Sequence, residues 1–182
     1  MIENDIKEIC VSQEKLAETV KALGAQISRD YAGKELTLVC ILKGAVVFAA
    51  DLMREITVPC RIEFMRISSY GNSTNSGEIK IVHDIEINPE GKNLLIVEDI
   101  LDSGKTLYYV RDMLRKRNPA SIKICALLDK PERRTADIKA DYAGLNIPDE
   151  FVVGYGLDYA DRYRNLPYIG ILNKSVYSMC NE

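Results

Sequence analysis

IVEDILDSGKT, Ile96 to Thr106, carries three carboxylates into what otherwise looks like a loop built to wrap a phosphate. With the preceding Asn93-Leu94-Leu95 its first half is an apolar run of strand type. The segment LYYVRDMLRKR after it has helical spacing, so the whole is a strand, a loop and a helix. Asp102-Ser103-Gly104-Lys105-Thr106 then falls at a helix start, where several backbone N–H groups and two hydroxyls can converge on one anion. A Walker A loop would need glycine at position 99, which is Asp99, so a nucleoside triphosphatase reading is weak. The carboxylates fit a ligand with a phosphate at one end and a sugar at the other. Glu98 and Asp99 can accept hydrogen bonds from vicinal ribose hydroxyls, or reach them through a hard cation such as Mg²⁺. Asp102 faces the reacting end. The bland alternative is a strand with an acidic exposed end and an Asp/Ser helix cap.

Outward from this stretch the chain alternates strand and helix patterns. Leu16, Val20, Leu23, Ile27 and Tyr31 recur at helical spacing from Ser12, which can cap the start. LTLVCIL, Leu36 to Leu42, reads as a buried parallel strand ending at Lys43-Gly44, and Ala45 to Arg54 suits a helix. Arg61 to Ile67 and SIKICALL read as strands, and FVVGYGLDY as a strand or its end. SSYGNSTNSGE is a long polar loop of the kind that is mobile or functional. The class is therefore α/β with a mostly parallel sheet, whose ligands gather at the carboxyl ends of the strands. Lys43-Gly44, Glu98 to Thr106, and Lys130 all fall at such ends.

Composition narrows the functions. At 182 residues, 47% hydrophobic and with net charge -3, the chain suits one globular domain and gives no support to nucleic-acid binding. No apolar stretch reaches membrane-spanning length, and MIENDIKEIC lacks the basic and apolar regions of a signal peptide. Five scattered cysteines without ligand spacing read as free thiols of a reducing cytosol. His83, the single histidine, reads as a solvent-facing strand residue. Leu107, Tyr108 and Tyr109 read as helix packing residues rather than members of a site.

The Glu98 to Thr106 stretch resembles the phosphoribosyl pyrophosphate signature of type I phosphoribosyltransferases. ILKGAVVF, ISSYGNST, LLDKPERR and FVVGYGLDYADRYRNLPYIGIL narrow the likeness to the bacterial hypoxanthine-guanine branch of that family. The resemblance implies one domain over residues 1–182, with a central mostly parallel sheet flanked by helices. A small hood would form from parts of the N- and C-terminal segments. It implies transfer of the 5-phosphoribosyl group from phosphoribosyl pyrophosphate to N9 of hypoxanthine or guanine, releasing pyrophosphate with inversion at the anomeric carbon.

By resemblance, Asp102, Ser103, Gly104, Lys105 and Thr106 hold the 5'-phosphate, and Glu98 and Asp99 attend the ribose. Asp102 acts as general acid/base beside purine N7. Lys43, Gly44 and Arg164 meet pyrophosphate, with a non-proline cis peptide before Lys43. Lys130 donates to purine O6, Phe151 stacks on the base, and Val152 and Asp158 meet its edge. Glu98, Asp99 and Asp158 are associated with Mg²⁺, and Ser69 and Tyr70 belong to a loop that closes over the site. The resemblance also implies a homodimer or homotetramer in the cytoplasm, acting on small molecules. A regulator that keeps the fold while gripping nucleic acid, and an adenine, orotate or uracil enzyme, are the alternatives.

Overall fold

The computed structural model describes residues 2–70 and 78–178. Strand β1 (Ile6–Val11) leads into helix α1 (Gln13–Asp30), followed by β2 (Leu36–Leu42), α2 (Val46–Glu55), β3 (Cys60–Tyr70) and β4 (Glu78–His83). Next come β5 (Asn93–Leu101), α3 (Lys105–Arg115), β6 (Ser121–Asp129), β7 (Tyr142–Asn146), β8 (Val152–Val153), β9 (Ile169–Leu172) and α4 (Lys174–Ser178). The main sheet has the order β4-β3-β2-β5-β6-β7 and is parallel except for β4. A second sheet, β1-β9-β8, is antiparallel and unites segments from both ends of the sequence.

Burial on both faces explains the continuous apolar run of β2. Leu38 and Cys40 pack with Leu16, Ile27 and Phe48 of α1 and α2, while Val39 and Ile41 pack with Leu107, Val110 and Leu114 of α3 on the other side. Each such fully buried large side chain contributes about 1.5–3 kcal/mol relative to exposure. Ser12 caps α1 as its position suggested, its hydroxyl accepting from the Lys15 N–H. With helices on both faces, the open edge lies at the carboxyl ends of β2, β5 and β6.

Several expectations are corrected. β3 runs past Ile67 to Tyr70 and pairs antiparallel with the edge strand β4, so the first residues of the polar segment are strand. Backbone pairing there needs no apolar period. Residues 71–77 of that segment lie outside the described residues, as do the side chains of Ser69 and Tyr70. FVVGYGLDY is strand only at Val152–Val153, and positive φ at Gly154, Tyr155 and Gly156 then turns the chain. Tyr108 and Tyr109 are exposed, because the buried face of α3 is Leu107, Val110 and Leu114. His83 is exposed in β4, as anticipated.

Candidate active site

The loop after β5 is shaped by its neighbours. Gly104 caps α3 with φ 80°, and a β-carbon there would lie 2.5 Å from the Ile138 side chain. Side chains rarely adopt that φ, so glycine is needed on both counts. Ser103, Gly104 and Thr106 line a cavity of about 120 Å³ with Glu98, Ile100, Asp102 and Leu107. Leu107 is thus both core and wall. The loop is braced from behind, since the Thr135 and Ala136 N–H groups donate to the Ser103 carbonyl.

Arg134 is the larger brace. Its guanidinium donates to the carbonyls of Leu101, Asp102 and Ile138 and pairs with Asp129. The sequence assigned it no role; in the fold it is a clamp joining the ends of β5 and β6. Arg133 was likewise missed. Its Nε stands 3.0 Å from Asp102 Oδ1 and its Nη1 3.3 Å from Asp149 Oδ1. The Asp102 approach is close but poorly directed, and that oxygen makes no hydrogen bond.

Glu98 and Asp99 take different roles. Asp99 is buried, accepts from the Ile100 N–H at 2.7 Å and packs on the Lys43-Gly44 turn. A β-carbon on Gly44 would stand 1.7 Å from its Oδ2. Glu98 lines the cavity and its Oε2 is buried without a partner. Burial, and then the adjacent Asp99, push the Glu98 carboxyl well above the ordinary glutamate range. Asp99 is also raised, mainly by burial, with hydrogen bonds and the Arg164 charge opposing. Beneath the pair, burial and these two carboxyls push the Cys40 thiol up to about 12, so it is an inert thiol.

Lys43, Gly44 and Arg164 are brought together. The Leu42–Lys43 peptide is cis, and Lys43 Nζ donates to Asp161 Oδ1 at 2.8 Å. Arg164 donates to the Gly156 carbonyl at 2.7 Å and pairs with Asp158 and Asp161. Asp161, unanticipated from sequence, therefore bridges the two cations, and they hold its carboxyl below the usual aspartate range. Its position within DYADR gives no sign of this.

On the far side Lys130 is buried, its Nζ donating to the Glu150 carbonyl at 2.6 Å beside Phe151 and Val152. Phe151 is 39% exposed and Val152 is buried in β8. Asp158 accepts from the Asp161 N–H and pairs with Arg164. Among the described residues no three acidic, histidine or cysteine side chains form a ready-made metal site. Asp99 and Asp158 are occupied by the chain itself, leaving the unpartnered Glu98 oxygen as the atom best suited to an oxygen-seeking cation.

The glycine-capped loop after β5, the paired-cation turn and the buried lysine thus stand at the carboxyl ends of neighbouring strands, and residues 11–160 match the phosphoribosyl transferase domain model. The chain belongs to the phosphoribosyl transferase family. A hypoxanthine-guanine phosphoribosyltransferase of Streptococcus thermophilus is 50% identical over 179 residues, covering 98% of this chain and 99% of that protein. The Bacillus subtilis protein of the same name is 51% identical over 178 residues, covering 97% and 99%. A hypoxanthine phosphoribosyltransferase structure from Staphylococcus aureus superposes with TM-score 0.93 at 49% identity, over 97% of this chain and 96% of that one. Of the candidate residues, Val152 lies in the small sheet with Phe151 just before it, Asp158 and Arg164 lie in the chain between β8 and β9, and the others stand at the carboxyl ends of β2, β3, β5 and β6.

Proposed function

We propose that this chain transfers the 5-phosphoribosyl group from phosphoribosyl pyrophosphate to N9 of hypoxanthine or guanine, giving IMP or GMP and pyrophosphate, as a cytoplasmic enzyme of purine salvage. The observation that carries the reading is the buried Lys130, whose Nζ meets the Glu150 carbonyl next to Phe151 and whose backbone N–H donates to the Leu101 carbonyl just before the Asp102–Thr106 loop. An ammonium has only donors, so it selects a 6-oxo group over a 6-amino group. Full-length relatives carrying that enzyme's name add support. One catalytic unit spanning the chain, acting as a homodimer or homotetramer, belongs to the same reading; Val46, Phe64 and Val82 supply exposed apolar surface.

In this reading the amides and hydroxyls of Ser103 to Thr106 hold the 5'-phosphate, while Lys43, Gly44 and Arg164 hold the pyrophosphate. The Asp161 carboxylate yields those two cations to the incoming anion. As the bond from the anomeric carbon to pyrophosphate breaks, N9 attacks from the opposite face. Asp102, whose Oδ1 has a free acceptor position, takes the purine N7 proton that must leave. Glu98 and Asp99 stabilise the positive charge that develops on the sugar more than they stabilise the bound substrate. Mg²⁺ would be held by Glu98, with lesser contributions from Asp99 and Asp158 and from substrate oxygens, and would neutralise charge on the departing pyrophosphate. Ser69 and Tyr70, at the end of β3, belong to the same reading as residues that close over the site.

The test is nucleotide formation from phosphoribosyl pyrophosphate, Mg²⁺ and, separately, hypoxanthine, guanine, xanthine or adenine. IMP and GMP should form, adenine should lag, and Asp102→Asn should lose about 10²–10⁴-fold in kcat. Absence of turnover with any base, alongside tight phosphoribosyl pyrophosphate binding, would reject the enzyme reading.

A further inference from the structure

The C-terminal helix α4 reaches the purine side of the site through one side chain. Tyr177 stacks on Phe151 with centroids 5.1 Å apart and planes inclined by 26°. Tyr159 meets Phe151 edge-on at 5.6 Å, and the two tyrosines stand 6.3 Å from each other. Three such similar separations form a compact triangle, so from Phe151 the two tyrosines lie less than a right angle apart. They cover one side of the ring. Phe151 nevertheless remains 39% exposed, so the tyrosines do not enclose it.

The backing ring is itself anchored. The Asn173 N–H donates to the Asp5 carbonyl at 2.8 Å and its side chain to the Asn4 carbonyl at 3.2 Å, which fixes the start of α4 against the N-terminal segment. Val176 and Tyr177 pack on the cluster of Val153, Tyr163, Leu166 and Leu172. The Tyr163 hydroxyl donates to Asp5, tying the same cluster to the same segment. Tyr177 is thus held by the small sheet, whereas Phe151 stands where that sheet opens onto the site.

We infer that Tyr177 is a positioning residue for purine binding: it backs Phe151 from α4 and holds the ring's open face flat for the base. The inference rests on Phe151 being the stacking partner of the purine. Without the backing ring, Phe151 would sample other rotamers and each binding event would have to order it. An aromatic pair of this geometry corresponds to about three- to tenfold in an equilibrium constant. Stacking uses the ring and not the hydroxyl, so phenylalanine should serve equally well.

The experiment compares Tyr177→Ala, Tyr177→Phe, Phe151→Ala and the Phe151→Ala/Tyr177→Ala pair, varying hypoxanthine at saturating phosphoribosyl pyrophosphate and then the reverse. Tyr177→Ala should raise KM for hypoxanthine about three- to tenfold, with KM for phosphoribosyl pyrophosphate unchanged. Tyr177→Phe should behave as the parent, and Tyr177→Ala should add nothing once Phe151 is alanine. An unchanged hypoxanthine KM in Tyr177→Ala would overturn the inference. So would an equal rise in both KM values with a lower melting temperature, which would mean that α4 only stabilises the small sheet. If Phe151→Ala itself leaves the hypoxanthine KM unaltered, the stacking reading of Phe151 fails first, and the two failures are told apart.

Discussion

At the scale of single residues, the tightest constraint is the contact between Gly44 and Asp99. These residues lie on neighbouring strands' ends, and a methyl group at position 44 would overlap the Asp99 carboxylate. Neither can move freely: Asp99 is buried and bonded to the Ile100 N–H, and the Gly44 carbonyl abuts Gly156. Gly44→Ala should therefore destabilise by about 1–3 kcal/mol through overpacking and, on the proposed function, reduce kcat/KM more than tenfold by displacing the Lys43-Gly44 turn. Adding Asp99→Ala makes room for the methyl and should recover part of the lost melting temperature without recovering activity. Recovery of both would show that Asp99 has no part in the reaction.

At the scale of elements, what the sequence revealed follows burial. β2 and β5 are buried on both faces and α1 repeats its apolar residues at helical spacing, so each announces itself. β1, with only Val11 buried, and β7, with mixed burial, are edge strands held by backbone pairing, and no side-chain period marks them. The site divides the same way. Asp102 to Thr106 sit within one contiguous motif, while the functions of Arg134, Asp161 and Tyr177 depend on partners far away in sequence or invisible in local spacing. Arg134 tests this view, because its one guanidinium links the end of β5, the end of β6 and the turn at Ile138. Lysine cannot reproduce the fork of a guanidinium. Arg134→Lys should cost about 2–4 kcal/mol in denaturant unfolding and lower kcat/KM with it, since buried acceptors are left unpaired. An exposed arginine would give a change near zero.

At the scale of the whole molecule, the candidate site straddles two sheets. The main sheet's carboxyl ends carry Glu98 to Thr106 and Lys130, and the chain just before, within and beyond β8 carries Phe151, Val152 and Asp158. Lys130 touches both, its Nζ donating to the Glu150 carbonyl just before β8. On the proposed function, a 6-oxopurine nucleotide reaches from the Asp102–Thr106 loop to Phe151 and binds only when the two sheets hold their native relation. Binding to the folded state alone stabilises by mass action, about 2.7 kcal/mol at one hundred times the dissociation constant. For a chain of 182 residues that corresponds to a melting shift of about 5–10 °C, and both sheets should melt in one transition. IMP should produce this shift and AMP at equal concentration a much smaller one, because the 6-amino group presents donors to the Lys130 ammonium. Equal shifts would remove Lys130 as the discriminating group. A shift confined to one of two separate transitions would mean that the ligand does not bridge the sheets, and that the phosphate loop binds independently of the base.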